Sequence, residues 1–166
     1  MTTQRRPKPK AEPASKQKLR LWIRLLGASR TIEVELRRRL RTKFGETLPR
    51  FDVMAALQRR PAGMTMTELS RYLMVSNGNV TGIIERLVSE GLVVRLAVED
   101  DRRATFVRLT PAGAERFSAM AKAHEVWVGE LLAGFGSDQT DALIELLGPL
   151  GHRNPLIPRA RGAQPA

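Results

Sequence analysis

Three polar side chains at the start of one apolar pattern have the chemistry to read the edges of DNA bases. Asn77, Asn79 and Thr81 surround Val80, the first apolar residue of a run that continues through Ile84 and Leu87. Asparagine pairs well with adenine, and the threonine methyl group can contact thymine. If Val80 points to the core, a helical projection turns these polar groups outward or to the flanks. Turn chemistry is the competing interpretation of Asn77-Gly78.

A second set of polar groups follows in a charged segment between two runs rich in β-branched residues. Three acids alone there would repel phosphate, so we expect Asp101 to pair with Arg103 and orient its guanidinium. Arg102 is then left for the DNA backbone or minor groove. The whole set of predicted DNA-binding residues comprises Ser76, Asn77, Asn79, Thr81, Arg86, Asp101, Arg102 and Arg103.

The elements that must position these groups are two short helices followed by a β-hairpin. Apolar residues recur at helical spacing from Met66 to Val75, the pattern breaks at residues 76–78, and a second helix runs to Gly91. LVVRL (92–96) and TFVRL (105–109) favour strands. This order predicts a winged helix-turn-helix, a mostly α fold with a β-hairpin wing (α+β), in which one helix enters the major groove.

Long amphipathic helices flank this DNA-binding lobe. One extends from Lys16 to Phe44, and another starts at Thr110-Pro111 with its apolar face running from Phe117 to Phe135. A last helix, capped by Ser137-Asp138, directs its apolar side inward through Leu143, Ile144, Leu146, Leu147 and Leu150. The terminal helices lack partners within the lobe, so we expect them to bury each other in a homodimer.

The predicted organisation has one folded domain between two basic, Pro-rich tails. Residues 1–15 form a disordered tail, residues 16–150 the domain, and residues 151–166 the second tail. Within the domain, residues 16–48 and 111–150 dimerise and residues 51–110 bind DNA. Most of the net charge of +11 lies at the two ends of the chain, residues 1–20 and 151–166, since residues 21–150 carry 18 basic and 16 acidic side chains. The tails either confer solubility or track phosphates.

Composition argues against several other classes of protein. The chain has no cysteine and two histidines, His124 and His152, and no Gly-rich phosphate loop follows a strand. No catalytic residue, metal site or cofactor is therefore predicted. No signal peptide and no apolar run of membrane-spanning length is apparent, which predicts a cytoplasmic protein without a membrane partner.

The segments SNGNVTGIIERLVSEGLVVR and DDRRATFVRLTPAG resemble the MarR family of bacterial transcription regulators. The family's wing pattern, Asp-x-Arg followed by Leu-Thr and a nearby glycine, is met by Asp101, Arg103, Leu109, Thr110 and Gly113. The resemblance covers about residues 16 to 150, and the long basic tails depart from it. It implies an obligate dimer that binds a pseudo-palindromic operator in double-stranded DNA, most often as a repressor relieved by a small phenolic or anionic ligand.

The same resemblance suggests where an effector would bind. Ligand sites in the family lie between the dimerisation helices and the DNA-binding lobe, where this chain has Trp22, Phe51, Met54, His124 and Trp127. LPRFD (48–52) and His124-x-x-Trp127 resemble a branch that senses hydroxycinnamoyl-coenzyme A thioesters. Arg20 and Arg24 would then pair with the phosphates of a small aromatic or CoA-thioester effector. The alternative is that these aromatic groups are ordinary core.

Two further classes stay open at this point. An architectural DNA-binding protein without a ligand switch would share the wing and the dimer but show little sequence preference. A winged-helix protein-interaction module would have no reason for a polar and basic surface at Asn77–Thr81, Arg102 and Arg103. Footprinting and the salt dependence of DNA binding separate these alternatives.

Overall fold

The computed structural model describes residues 13–98 and 101–151, with the side chains of residues 97, 98, 101–105 and 151 left out. Both basic tails of the sequence analysis, apart from Pro13 to Ser15 and Gly151, thus lie outside the described residues. Within the described part, one compact unit ends at Glu35 and a second begins at Leu36. Helix α1 contributes to both units.

Six helices and three short strands make up the described residues. Helix α1 begins two residues before the predicted Lys16, because the helix already includes Ala14 and Ser15. The helices are α1 (Ala14–Phe44), α2 (Leu48–Gln58), α3 (Met66–Leu73), α4 (Asn77–Ser89), α5 (Pro111–Leu131) and α6 (Ser137–Gly151), and the strands are β1 (Met64–Thr65), β2 (Val93–Val98) and β3 (Asp101–Leu109). Helices α5 and α6 begin at the predicted positions, but α5 ends at Leu131, so Phe135 lies beyond the helix on whose face it was predicted.

The strands form one antiparallel sheet in the order β1-β3-β2. Val93 pairs with Leu109 and Leu96 with Phe106, and the register shifts between Ala97 and Val98. The sequence predicted only the β2–β3 hairpin. Strand β1 was missed because two residues are too few to show an alternation of apolar and polar side chains. The pairing of Met64 with Val107 also joins positions far apart in the chain.

The core of the second unit lies under the helix-turn-helix. Helix α2 packs against α3, α4, α5 and β3, and five of its 11 residues are buried. Burial of these apolar groups is the main stabilising term, at about 25 cal/mol per Å² of apolar surface. The fully buried side chains are Leu40, Val53, Met54, Leu57, Met64, Leu69, Val80, Ile84, Leu87, Val107 and Met120.

Polar caps fix where the short helices begin. In α3 the Thr65 hydroxyl accepts from the backbone N–H of Glu68, and the Glu68 carboxylate accepts from the Thr65 backbone N–H, which completes a capping box. The Thr65 hydroxyl also donates to the Glu68 carboxylate, and the backbone and hydroxyl donors of Thr65 together hold the pKa of Glu68 below its usual range. Glycine also ends α4 as predicted, since Gly91 adopts a left-handed φ of 70°.

The turn between α3 and α4 differs from the prediction. The break was placed at residues 76–78, but α4 already begins at Asn77, so Gly78 lies in its first turn. The chain reverses instead at Met74, which caps α3 in the left-handed conformation with φ 54° and ψ 38°. A methionine in this conformation carries no sequence signal, because glycine or asparagine normally occupies it.

Helix α6 leaves its apolar side chains exposed in the single chain. The exposed fractions reach 61% for Ile144, 74% for Leu146 and 70% for Leu150. The prediction that this face points inward is therefore wrong for the chain by itself, since nothing in the described residues covers it. In the first unit Leu19, Trp22 and Ile23 are likewise 57–58% exposed. None of the helices in the described residues has the length and apolarity to cross a membrane.

Candidate nucleic-acid interface

Helix α4 separates a buried face from a polar, exposed face. Val80, Ile84 and Leu87 have no exposed surface and fix the inner side of the helix against the core. The polar residues Asn77 and Asn79 are exposed, as is Ser76, which precedes the helix. The predicted readout residues therefore share an accessible surface around the first turn of α4.

The start of α4 leaves hydrogen-bonding groups for an anion. Ser76 occupies the N-cap position, but its hydroxyl makes no capping hydrogen bond, and the first turn contains no acidic residue. The initial backbone N–H groups of a helix lack partners within the helix and favour negative charge. A DNA phosphate is the ligand that fits such a helix terminus in this setting.

Thr81 is more constrained than its sequence position suggested. It is half-buried, and its hydroxyl donates a hydrogen bond of 2.9 Å to the carbonyl of Asn77 one turn earlier. The hydroxyl proton is thus engaged inside the helix, while the methyl group and an oxygen lone pair remain for contact. Arg86 lies further along α4 with an exposed side chain.

Two glycines on the outer face of α4 have no structural reason within the part of the chain that the structure describes. A Cβ atom at Gly78 or Gly82 would meet no atom within 4 Å, and both residues have ordinary helical φ values. Each glycine costs about 1 kcal/mol of helix stability relative to alanine. An external surface that approaches the helix backbone closely is the physical explanation that remains.

The wing residues fall at a different place from the predicted one. Asp101, Arg102 and Arg103 belong to strand β3 rather than to the hairpin turn, because pairing extends from Leu109 to Asp101. Their side chains lie outside the described residues, as do residues 99 and 100. The predicted Asp101–Arg103 pair and the DNA contact of Arg102 therefore stay predictions.

The Leu-Thr-x-x-Gly motif joins the wing to helix α5. Thr110 caps α5 by accepting from the Gly113 N–H at 3.0 Å, and its hydroxyl donates to the Gly91 carbonyl at 2.7 Å. The Thr110 backbone N–H also bonds the Leu92 carbonyl. Gly113 lies so close to Leu92 that no side chain fits between them. This arrangement fixes the first residues of β2, and with them the base of the wing.

The predicted effector residues are divided between the two units. Arg20, Trp22 and Arg24 lie exposed in the first unit. Phe51, Met54, His124 and Trp127 lie in the second unit, where Met54 is fully buried in the core. Their combination into one ligand site stays a prediction.

Aromatic contacts connect α2 and α5 in the second unit. The rings of Phe51 and His124 stack with centroids 4.7 Å apart. The Phe51 ring also contacts the ring of Phe117, with centroids 5.4 Å apart. Burial lowers the pKa of His124, because the protonated imidazole loses solvation there. A neutral imidazole can face an apolar or aromatic group without an uncompensated charge. Phe117 was placed on the α5 face by the sequence but was not among the predicted ligand residues.

Trp127 lies in a different aromatic contact. Its ring centroid is 6.2 Å from that of Phe44 at the end of α1, and the Lys43 ammonium lies 5.9 Å from the indole. Arg116 donates a 2.6 Å hydrogen bond to the Phe44 carbonyl. These contacts join the end of α1 to α5. Core packing within the single chain is therefore enough to explain the position of Trp127.

An ion cluster at the far end of α4 was not predicted. The Arg50 guanidinium donates to the Glu46 carboxylate at 2.7 and 3.1 Å and to the Glu90 carboxylate at 2.8 Å, with a further Arg50–Glu90 contact through Nη2. Glu46 precedes α2, whereas Glu90 is the C-cap residue of α4. The hydrogen bond from Arg50 is the largest cause that lowers the pKa of Glu90. Local spacing could indicate only the Glu46–Arg50 pair, which is four residues apart, because Arg50 and Glu90 are 40 residues apart.

Comparison with known proteins places this geometry in a family. A sequence model described as MarR family matches residues 44–104, from the end of α1 through the wing. The transcriptional activatory protein BadR of Rhodopseudomonas palustris is 35% identical over 122 residues, which cover 71% of this chain and 70% of BadR. The chain belongs to the MarR family.

Solved structures agree with the fold of this MarR-family chain. A MarR family transcriptional regulator from Silicibacter pomeroyi has a TM-score of 0.69 at 33% identity, with 84% of this chain and 97% of that one covered. A MarR mutant from E. coli complexed with operator DNA has a TM-score of 0.71 at 24% identity, with 84% of this chain and 99% of that one covered. The predicted winged-helix fold is confirmed, and the chain is a DNA-binding transcription regulator rather than an enzyme.

Proposed function

We propose that this MarR-family chain binds a pseudo-palindromic operator as a homodimer and represses transcription from it. The observation that carries the proposal is the outer face of α4, where exposed Asn77 and Asn79 lie beside the two glycines that the fold itself does not require. In a two-fold dimer the recognition helices would address half-sites about 10 base pairs apart on one face of the duplex. Arg102 and Arg103 are proposed to contact the backbone or minor groove.

The exposed apolar side chains of α6 support the dimer. Isolated apolar residues on a surface are common, but a whole helix with Ile144, Leu146 and Leu150 more than half exposed marks an interaction surface. The apolar residues of the first unit, Leu19, Leu21, Trp22 and Ile23, have the same property. Dimerisation is typical of the family, and a second copy of the chain is the partner that we propose for these residues.

Repression is the simpler direction of regulation for such a molecule. A dimer that covers a promoter excludes polymerase by occupying the DNA, whereas activation needs an additional contact surface. The names of the relatives include both directions of regulation: BadR is called an activatory protein, and YetL of Bacillus subtilis is called a repressor. Transcription in vitro from a promoter that contains the selected operator decides the direction, and a rise in transcript on adding the protein would contradict repression.

Selection of DNA sites from a random pool tests sequence-specific binding. The wild-type chain should enrich a site with two-fold symmetry, and Asn79→Ala should weaken that site by about tenfold while leaving random DNA nearly unchanged, because a lost base contact costs 1–3 kcal/mol. Arg103→Ala should weaken both DNAs alike through loss of a phosphate or shape contact. Failure to enrich any site, with equal binding to all sequences, would favour the architectural alternative.

The outer-face glycines yield a prediction with opposite signs for stability and binding. Gly82→Ala should stabilise the chain by about 1 kcal/mol and raise Tm by about 3 °C, because alanine is the better helix former and its Cβ meets no atom of the described residues within 4 Å. The same methyl group should reduce operator affinity about tenfold if DNA approaches the backbone there. Thermal unfolding and gel shift measure the two effects.

Gly129→Ala in α5 is the matched control for that substitution. Gly129 is also helical and exposed, and a Cβ there meets nothing within 4 Å. It should gain stability in the same direction without loss of operator affinity. Unchanged operator binding by Gly82→Ala would contradict close approach of DNA to this part of α4.

We further propose an aromatic acyl-CoA as effector, such as a hydroxycinnamoyl thioester. The aromatic rings of the second unit and the exposed cations Arg20 and Arg24 of the first offer the two kinds of group that such a ligand needs. For release from DNA, the ligand must favour a dimer whose α4 helices no longer match the half-site spacing. A 100-fold loss of operator affinity corresponds to about 2.7 kcal/mol of coupling.

The effector proposal predicts that the thioester releases the operator and that the free aromatic acid does so poorly. Gel shift with saturating ligand measures release, and calorimetry measures binding. Arg20→Gln and Arg24→Gln should weaken the thioester but leave any effect of the free acid unchanged, since only the thioester carries the phosphates. Equal potency of acid and thioester would contradict the role of the arginines, and a thioester that does not bind would exclude this effector.

A further inference from the structure

The Arg50 cluster joins three parts of the DNA-binding lobe through one side chain. Glu46 lies in the connection between α1 and α2, Arg50 in the first turn of α2, and Glu90 at the end of the recognition helix α4. The side chains of Arg50 and Glu46 are only 12% and 7% exposed, whereas Glu90 is 47% exposed. Each carboxylate receives two N–H groups of the planar guanidinium, so the contact is directional.

Stability alone is a weak reason for this cluster. Buried ion pairs seldom stabilise more than apolar groups of similar shape, because both charges lose their hydration. Apolar contacts also hold α4 already, since Val80, Ile84 and Leu87 are completely buried. Those contacts have little directionality and tolerate small rotations of a helix. The two bidentate contacts of Arg50 instead fix one geometry at the end of α4.

The position of Glu90 makes that geometry important at the opposite end of the helix. Asn79 lies eleven residues before Glu90, roughly 16 Å along the axis at about 1.5 Å per residue. A tilt of about 5° around Glu90 would move Asn79 by roughly 1.4 Å, enough to break a base contact whose length varies by only a few tenths of an ångström. Contacts to phosphates by long flexible side chains tolerate such a shift.

We propose that Arg50 is a positioning residue for operator recognition, which holds α4 at the angle required for base contact through its paired contacts with Glu46 and Glu90. The inference rests on the proposed function, because it concerns the discrimination of operator from other DNA. Arg50 does not touch DNA in this mechanism. It acts through the far end of the helix that does.

Glu90→Gln tests the proposal because positioning and simple electrostatics predict opposite changes in operator affinity. Removal of a negative charge near DNA should by itself strengthen binding to every sequence. Loss of positioning should instead weaken the operator at least tenfold while random DNA binds as well as before or better. Glutamine retains the size of the side chain, and Glu90 is half exposed, so the fold should persist. Circular dichroism checks that the helix content is unchanged.

Glu85→Gln is the matched control, since Glu85 is an exposed acid on the same helix outside the cluster. It should change operator and random DNA by the same factor. Arg50→Lys keeps the charge but loses the two-sided fork, and should reproduce the loss of Glu90→Gln. Combined, Arg50→Lys and Glu90→Gln should cost little more than either alone, because both break the same contact. An operator-to-random ratio that stays at the wild-type value in Glu90→Gln would overturn the proposal.

A measurement without DNA separates failure of this inference from failure of the proposed function. The chain has no cysteine, so spin labels can be attached through Ser76→Cys before α4 and Lys122→Cys on α5. The distribution of distances between them should shift or broaden in Glu90→Gln and stay unchanged in Glu85→Gln. If wild type selects no operator but the distribution responds in this way, positioning stands and the proposed function fails. An unchanged distribution would overturn positioning whatever the DNA result.

Discussion

Gly113→Ala is expected to destabilise the DNA-binding lobe by about 3 kcal/mol or more. A Cβ atom at residue 113 would lie 2.0 Å from the Leu92 carbonyl oxygen and 2.9 Å from its carbon. Backbone atoms cannot rotate away as a flexible side chain can, so α5 and the start of β2 must separate. Overpacking of this kind costs about 1–3 kcal/mol even against side chains.

Separation would also strain the hydrogen bonds around Thr110. Its backbone N–H bonds the Leu92 carbonyl, and its hydroxyl links Gly91 to the Gly113 N–H. We therefore expect the base of the wing to loosen and DNA affinity to fall with stability. Denaturant unfolding measures the free energy of unfolding, and gel shift measures the affinity.

Gly129→Ala in the same helix is the control, because its Cβ has open space. It should stabilise by up to about 1 kcal/mol, opposite in sign to Gly113→Ala. If both substitutions changed the free energy of unfolding in the same direction, the close approach of α5 to Leu92 would be wrong.

Leu146→Glu is expected to weaken dimerisation by about 1000-fold and operator affinity by at least 100-fold. Leu146 is 74% exposed in the single chain, so the substitution should hardly affect the fold of the protomer. A symmetric interface contains the residue twice. The loss of about 2 kcal/mol of apolar burial for each copy gives about 4 kcal/mol, or a factor of about 1000. A monomer then addresses only one half-site.

Sedimentation over a range of protein concentrations measures the dimer, and gel shift with a full operator and with a single half-site measures binding. Gln139→Glu is the control, because it adds the same charge near the start of α6, where Gln139 already accepts from the Gly136 N–H through its side-chain oxygen. The control should leave both equilibria unchanged. A Leu146→Glu protein that sediments as a stable dimer would exclude α6 from the interface.

Where signals are local, the sequence was sufficient. Apolar residues at helical spacing identified the face of α4, because Val80, Ile84 and Leu87 must meet one core. Gly91 was correctly placed after that helix, because few other residues adopt its φ cheaply. The two β-branched runs gave β2 and β3 for the same kind of reason. These elements already specify a winged helix-turn-helix.

Only the tertiary structure decided which distant residues meet. The pairing of Met64 with Val107, the left-handed turn at Met74 and the junction of Gly113 with Leu92 have no periodic signature. Arg50 and Glu90 are 40 residues apart, yet folding places Arg50 between Glu46 and Glu90 with little access to solvent. A local pattern records the preference of the backbone for a conformation, whereas such contacts depend on how whole helices pack. The sequence thus determined the helix proposed to read DNA, and the packing of α2 against α4 determined the orientation of that helix.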